Sequence, residues 1–119
     1  MKNQTFKQTA VACLVLLTGC AMTDPRVGVN SRAGWISSVY TAEKLRTNPP
    51  ACLGSLTPAQ IDSGQYVEIK VPHGRRGEYL PAIVPPSVQV HLHDWVEFSP
   101  KLCEAGVVPE VKQVLSSYK

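Results

Sequence analysis

Polar and apolar side chains alternate without exception from residue 66 to residue 71. Val67, Ile69 and Val71 fall on one side of this stretch, whereas Glu68 and Lys70 fall on the other. A two-residue period is typical of a strand with one buried face. Residues 72–77 contain a proline and two glycines and interrupt the pattern, which resumes at residues 79–84. The sequence therefore predicts two strands joined by a hairpin or a broad loop.

Residues 87–98 predict further strands. Val88, Val90 and Leu92 share one face of an extended chain. The same alternation would place Asp94 inside, where an unpaired carboxylate is costly, so we expect a tight turn or bulge at residues 93–94 and two short strands. Four or five short strands within about forty residues predict a mainly β domain, either a small curled antiparallel sheet or an OB-like barrel with short peripheral helices. An α+β fold is the alternative.

Three segments carry helix signals. Thr57, Pro58 and Gly64 stand where an N-cap, a first helical residue and a stop signal belong, and they predict a helix of one or two turns. Residues 109–115 begin with Pro and Glu and carry an apolar stripe, which predicts a C-terminal helix. Residues 35–45 fit a short amphipathic helix, but their first part also fits a strand, and both interpretations stay open.

The first twenty residues have the three parts of an export signal. Lys2 and Lys7 precede an apolar run at residues 10–17, and small residues follow. A run of eight apolar residues is too short to span a bilayer as a helix. The run ends in Leu17-Thr18-Gly19-Cys20. This motif resembles the lipobox of bacterial lipoproteins, which reads Leu, a small residue, Gly or Ala, and then Cys.

The resemblance implies that residues 1–19 are a signal peptide and that the Cys20 sulfur carries a diacylglycerol with palmitate-like chains. Residues 20–33 would then be a lipidated tether, and residues 34–119 a β-rich periplasmic domain. In many Gram-negative lipoproteins an Asp after the cysteine retains the protein in the inner membrane, so Ala21 implies the periplasmic face of the outer membrane. The alternative is an ordinary secretory signal with an incidental cysteine, which would prefer an Ala-x-Ala-like cleavage site.

Removal of the leader leaves a nearly neutral domain. The chain has 12 basic and 9 acidic side chains, and Lys2 and Lys7 leave with the leader, so 10 basic side chains remain against 9 acidic ones. Nucleic-acid binding needs a clustered basic face, so the charge balance gives no reason to expect a nucleic-acid partner. The remaining length suits one domain.

Cys52 and Cys103 are the cysteines that remain once the leader is removed and Cys20 is acylated. In an oxidising compartment such a pair forms a disulfide bond. Free thiols are the main alternative. A metal or redox site would need closely spaced cysteines or adjacent histidines, and the sequence has neither.

Two polar clusters are candidate binding sites. His91 and His93 fall on one strand face and could share a metal, with Asp94 and His73 as further ligands, although polar residues on a solvated face need no such role. Arg75 and Arg76 lie between two glycines and could bind phosphate or carboxylate groups. A solvated hairpin tip is the simpler interpretation of the arginines.

Residues 79–86 are apolar and carry three prolines, so they predict an edge strand. Such an edge accepts a partner strand, or else the prolines protect it from pairing.

The sequence contains no catalytic motif such as Gly-x-Ser-x-Gly or His-Glu-x-x-His and no phosphate-binding glycine loop. We therefore expect no enzymatic activity and no cofactor. The favoured hypothesis is a structural or interaction module that is anchored to the membrane by lipid and contacts another envelope protein as a subunit of an assembly. The alternative hypothesis is a periplasmic ligand- or metal-binding lipoprotein that uses the His91 and His93 face and the Arg75-Arg76 loop.

Overall fold

The structure is a computed structural model that describes residues 25–118. The predicted signal peptide and Cys20 lie outside the described residues. Within residues 25–118 the chain forms five strands, two short α-helices and one 3₁₀ helix. In chain order these are β1 (Arg32–Val39), α1 (Ala42–Thr47), the 3₁₀ helix (Ala51–Leu53), α2 (Pro58–Ser63), β2 (Gln65–His73), β3 (Arg76–Val84), β4 (Trp95–Ser99) and β5 (Glu110–Ser116).

The strands close into a barrel in the order β1-β2-β3-β5-β4. β1 pairs with both β2 and β4, and these ladders, like β2 with β3 and β4 with β5, are antiparallel. β3 and β5 run parallel. The predicted mainly β fold with an OB-like barrel and short peripheral helices is confirmed.

β1 reaches both of its neighbours because Gly34 allows a close approach to β2. A Cβ atom at Gly34 would lie 2.5 Å from the Ile69 Cγ2 atom and 2.7 Å from the Lys70 carbonyl oxygen. Both distances are shorter than van der Waals contact, so any side chain here would push the strands apart. Glycine is therefore required at the point where β1 packs against β2.

Apolar side chains fill the barrel. The predicted inward residues Val67, Ile69 and Val71 are buried, and each such side chain contributes on the order of 1.5–3 kcal/mol. Phe98 is the largest fully buried side chain of the described residues. The cluster consists of Ile36, Val67, Ile69, Val71, Leu80, Ala82, Val84, Val90, Val96, Phe98 and Val111.

A second apolar cluster lies under the helical connection between β1 and β2. It consists of Leu45, Cys52, Leu53, Ile61 and Tyr66. The predicted helix is confirmed as α2, where Thr57 and Gln60 form a reciprocal capping box and Pro58 opens the helix.

The Cys52–Cys103 disulfide bond is present and joins this cluster to the β4–β5 loop. The two Cα atoms lie 5.2 Å apart, within the usual range for a disulfide bond. The backbone N–H of Cys52 also donates to Cys103 Sγ at 3.3 Å. The bond therefore connects two parts of the chain that come before and after the strands β2 to β4.

The first part of residues 35–45 is a strand rather than a helix. β1 covers residues 32–39, and α1 starts only at Ala42, where the Thr41 hydroxyl accepts from the backbone N–H of Lys44. β1 begins inside the predicted tether 20–33. Residues 25–31 also contact the barrel, because Arg26 Nη1 donates to the Leu115 carbonyl at 2.6 Å and the Gly28 N–H donates to Glu97 Oε2 at 2.8 Å.

The predicted C-terminal helix is wrong, because these residues form β5. β5 pairs with β4 through two register shifts, and at each shift β5 has one residue more than β4. These bulges bring Val111 opposite Phe98 and Val114 opposite Val96. The bulges convert the two-residue strand period into a spacing of three, which imitates a helix.

A strand and a turn were predicted for the segment before β4, and only the turn is present. The first of the two predicted strands does not form, and residues 85–94 are a loop. The turn at residues 93–94 is confirmed, since His93 has a φ of 71°. The Ile36 N–H donates to the Asp94 carbonyl at 2.9 Å, and the His93 N–H donates to the Ile36 carbonyl at 2.8 Å, so the turn is attached to β1.

Loss of the disulfide bond should lower stability without removing the sheet. On the chain-entropy account, a bond that closes a loop of this length contributes about 4 kcal/mol. We expect the double variant Cys52→Ser with Cys103→Ser to unfold at a lower denaturant concentration, while its far-ultraviolet circular dichroism stays β-like. An unchanged unfolding midpoint would contradict this role of the bond.

Candidate functional site

Four side chains form a row across the outer face of the barrel, which we call the aromatic row: Trp95, Trp35, Lys70 and Tyr79. Trp35 on β1 lies opposite Trp95 on β4 and Lys70 on β2, and Lys70 lies opposite Tyr79 on β3. The two indole rings are 4.6 Å apart between centroids. The Lys70 ammonium is 6.0 Å from the centre of the Tyr79 ring. The row therefore consists of a tryptophan pair and a lysine–tyrosine pair on adjacent strands.

Strand alternation turns the row outward. Each row residue has a directly adjacent residue on its own strand that is buried in the core. These residues are Val96, Ile36, Ile69 and Leu80. Trp35 is 43% exposed and Tyr79 is 53% exposed. Gly77 leaves room for the Lys70 side chain, since a Cβ atom at Gly77 would lie 2.6 Å from Lys70 Cε. A large exposed aromatic surface on a small domain is a candidate for binding.

An open groove of about 550 Å³ lies beside the row. Val27 and Val29 line one part of it, and Trp95, Pro72 and Lys101 line another. The N-terminal segment 25–31 therefore borders the row directly. Glu97 secures this segment through Gly28, and its second oxygen accepts from Gln113 Nε2 at 2.8 Å.

Arg75 and Arg76 lie at the tip of the β2–β3 hairpin, as the hairpin prediction requires. The strands end at His73 and Arg76, and Gly74 has a φ of 59°, a conformation that glycine adopts without strain. Both arginines are exposed. They lie four and three residues before Tyr79 on the hairpin that carries Lys70 and Tyr79, so the positive charge of the tip stands at the end of that hairpin.

Arg32 and Glu78 form an ion pair between β1 and β3. Arg32 Nη2 donates to Glu78 Oε2 at 2.6 Å, and Arg32 Nη1 donates to the Lys101 carbonyl at 3.2 Å. The hydrogen bond from Arg32 lowers the pKa of Glu78, and the charges of Arg32 and His73 act in the same direction, while burial opposes them. Glu78 therefore stays ionised under neutral conditions.

The two histidines do not lie on a strand face, contrary to the interpretation that made them metal ligands. They belong to the turn before β4, where His91 Nδ1 is 3.6 Å from Asp94 Oδ2 and the His93 ring is 5.0 Å from the Tyr118 ring. His73 lies on the β2–β3 hairpin. Among residues 25–118, no three His, Cys, Asp or Glu side chains are grouped so that they could hold a metal ion.

The strand alternation predicted that Asp94 lies inside, but it did not predict the hydrogen bonds that its carboxylate accepts. Its side chain is buried, as the strand parity required, but it is not unpaired. One oxygen accepts from the His91 N–H at 2.8 Å, and the other accepts from the Tyr118 N–H at 3.1 Å. The carboxylate therefore holds the turn and the C-terminal end of the described chain together.

Tyr40 and Glu68 form a polar cluster on the outer side of β2. Ser37 Oγ donates to Glu68 Oε1 at 3.0 Å, and Tyr40 Oη lies 3.5 Å from Glu68 Oε2. Burial, followed by the charge of Glu68 and its hydrogen bond, raises the pKa of Tyr40 to about 12. The phenol therefore keeps its proton at neutral pH.

β3 has the edge character that its prolines predicted. It pairs with β2 along its whole length, but within residues 25–118 its ladder to β5 contains the single pair Ile83 and Glu110. Pro81 lies in the part without a β5 partner, where its missing N–H costs no ladder hydrogen bond.

Comparisons with known proteins add no assignment: no family model, curated protein or solved structure matches this chain. The helices within residues 25–118 are also shorter and less apolar than a membrane-spanning helix has to be.

The sequence analysis did not identify the aromatic row. Each of its aromatic residues adjoins an inward apolar residue in an alternating stretch, which is the available signal. Their alignment depends on pairing between strands that are distant in the sequence, and this register is not visible along the chain.

Removal of the Asp94 carboxylate should destabilise the barrel. We expect Asp94→Ala to lower the free energy of unfolding by about 1–3 kcal/mol, because the backbone N–H groups of His91 and Tyr118 lose the buried carboxylate that accepts from them. Asp62→Ala is the matched control, since Asp62 forms an exposed ion pair with Arg46 and such pairs contribute at most about 1 kcal/mol. Denaturant unfolding measures both variants, and equal effects would contradict the role of Asp94.

Proposed function

We propose that this protein is a lipid-anchored lipoprotein of the bacterial envelope whose barrel acts as a non-enzymatic interaction module. The observation that carries the proposal is the motif Leu17-Thr18-Gly19-Cys20 at the end of an apolar run. The Cys52–Cys103 bond supports it, because disulfide bonds persist in oxidising compartments such as the periplasm. Ala21 after the proposed acylation site, where an Asp would favour the inner membrane, supports a location at the periplasmic face of the outer membrane.

The barrel supports a role in surface contacts. Its interior is filled by side chains such as Phe98 and Ile36, so a ligand would bind on the outer face or the loops. The outer face carries the aromatic row, and the hairpin tip carries Arg75 and Arg76. These surfaces suit a subunit that contacts other components of an envelope assembly.

The alternative function is binding of a small ligand or a metal through His91, His93 and the arginine tip. Zinc titration of the mature protein tests the metal form of this alternative. A rise in melting temperature at micromolar zinc would support it, because a ligand that binds only the folded state stabilises that state. We expect no such rise.

Cys20→Ser should abolish anchoring, because serine has no sulfur to accept the diacylglycerol. We expect the wild-type protein to incorporate labelled palmitate and to enter the detergent phase in phase partitioning. The variant should accumulate as an unprocessed precursor without label.

Cys13→Ser is the matched control for this experiment. Cys13 lies in the apolar run of the leader and is removed with it, so its replacement should leave labelling and partitioning unchanged. If the Cys20→Ser variant still matures, takes up label and enters the detergent phase, the proposed anchor is wrong.

A further inference from the structure

We propose that the aromatic row lies on the membrane surface and that the cations beside it bind anionic phospholipid headgroups. The inference rests on the lipid anchor proposed above and specifies which face of the barrel meets the bilayer.

The part of the predicted tether that precedes the described residues is too short to let the barrel turn freely. Cys20 and Pro25 are five residues apart, and a fully extended chain spans at most about 3.6 Å per residue, so the reach is about 18 Å. A small domain is about 30 Å across. The acylated end therefore keeps the surface around Pro25 close to the bilayer.

The surface around Pro25 adjoins one end of the row, at Trp95. Pro25, Val27 and Val29 line the same groove as Trp95. The hydrogen bonds from Arg26 to Leu115 and from Gly28 to Glu97 hold this segment against the barrel. A bilayer that holds the start of the segment therefore lies next to the row.

The exposed side chains on this face are those that favour a membrane interface. Tryptophan and tyrosine concentrate at the level of the lipid headgroups, where a ring meets an apolar layer and a polar edge meets water. Trp35 and Tyr79 are each about half exposed, and Val29 in the neighbouring segment is 91% exposed. These side chains are exposed to water on the protein alone, and a membrane interface would bury them.

Charge on this face favours anionic lipid. Lys70 lies within the row, Lys101 lines the groove, and Arg75 and Arg76 form the hairpin tip. Lysine and arginine side chains near an anionic membrane surface strengthen binding by electrostatic attraction.

The carboxylates near the row are engaged within the protein. Glu78 pairs with Arg32, and Glu97 accepts from Gly28 and Gln113. Glu68, two residues before Lys70, accepts from Ser37 and lies beside Tyr40. Each of these carboxylates therefore already has a partner within the protein.

The protein contains two tryptophans, and both belong to the row. Tryptophan fluorescence therefore reports directly on the proposed contact. The experiment uses the mature, lipidated protein in vesicles of phosphatidylethanolamine and phosphatidylglycerol with brominated acyl chains, which quench tryptophan at short range. We expect a large loss of fluorescence relative to vesicles without bromine.

The variant that tests the headgroup contact is Lys70→Glu with Arg75→Glu and Arg76→Glu. The matched control is Lys44→Glu with Arg46→Glu and Lys112→Glu, which changes the net charge equally on α1 and β5, away from the row. We expect the first variant to lose most of the quenching and the control to retain it. Equal losses in both would overturn the assignment of the contact to this face.

Flotation of the vesicles separates this inference from the proposed anchor. If the protein floats with the vesicles but its fluorescence is not quenched, the anchor stands and the docking of the row is wrong. If the row is instead covered by a second copy of the chain, sedimentation in detergent will show a dimer and quenching will be absent, which also overturns the inference. If the protein does not float, the anchor itself is wrong and the docking proposal falls with it.

Discussion

Within residues 25–118 the barrel closes at a single pair of residues between β3 and β5. The Ile83 N–H donates to the Pro109 carbonyl at 2.9 Å, and Ile83 and Glu110 are the paired residues. The second cluster supports this narrow contact, since Ile83, Cys103 and Val108 pack against it. The helical connection and its disulfide bond thus provide stability that a longer ladder would otherwise supply. Closure also curves the sheet, so that β4, β1, β2 and β3 present one outer face.

Elements whose local signals agree with their tertiary setting were predictable from the sequence. β2 keeps its two-residue period, and α2 carries its cap at Thr57, its proline and its stop at Gly64. β5 was not predictable, because two bulges disturb its period and its preceding proline resembles a helix start. The loop before β4 alternates like a strand, but the turn that Asp94 stabilises leaves its first half without a partner strand.

Some parts of the candidate site were also predictable from the sequence, and others were not. The hairpin tip at Arg75 and Arg76 and the bond between Cys52 and Cys103 follow from local turn chemistry and from cysteine arithmetic. The aromatic row does not, because Trp35 meets Trp95 only through strand register. The positions of His91 and His93 were misread because their parity was taken from a strand that does not form. Registers and bulges are thus the nonlocal information that the sequence did not supply.

If the proposed anchor and docking are right, the short tether and the row hold the closed barrel at a bilayer in a defined orientation. The central claim is that the mature chain begins at an acylated Cys20 and carries one internal disulfide bond. The intact mass of the protein purified from bacterial envelopes, without reduction, tests both parts at once. We predict the mass of residues 20–119 with two or three acyl chains added and two hydrogens removed. A mass without acyl groups would contradict the account. So would a mass that is two hydrogens higher than predicted, because both cysteines would then be free thiols.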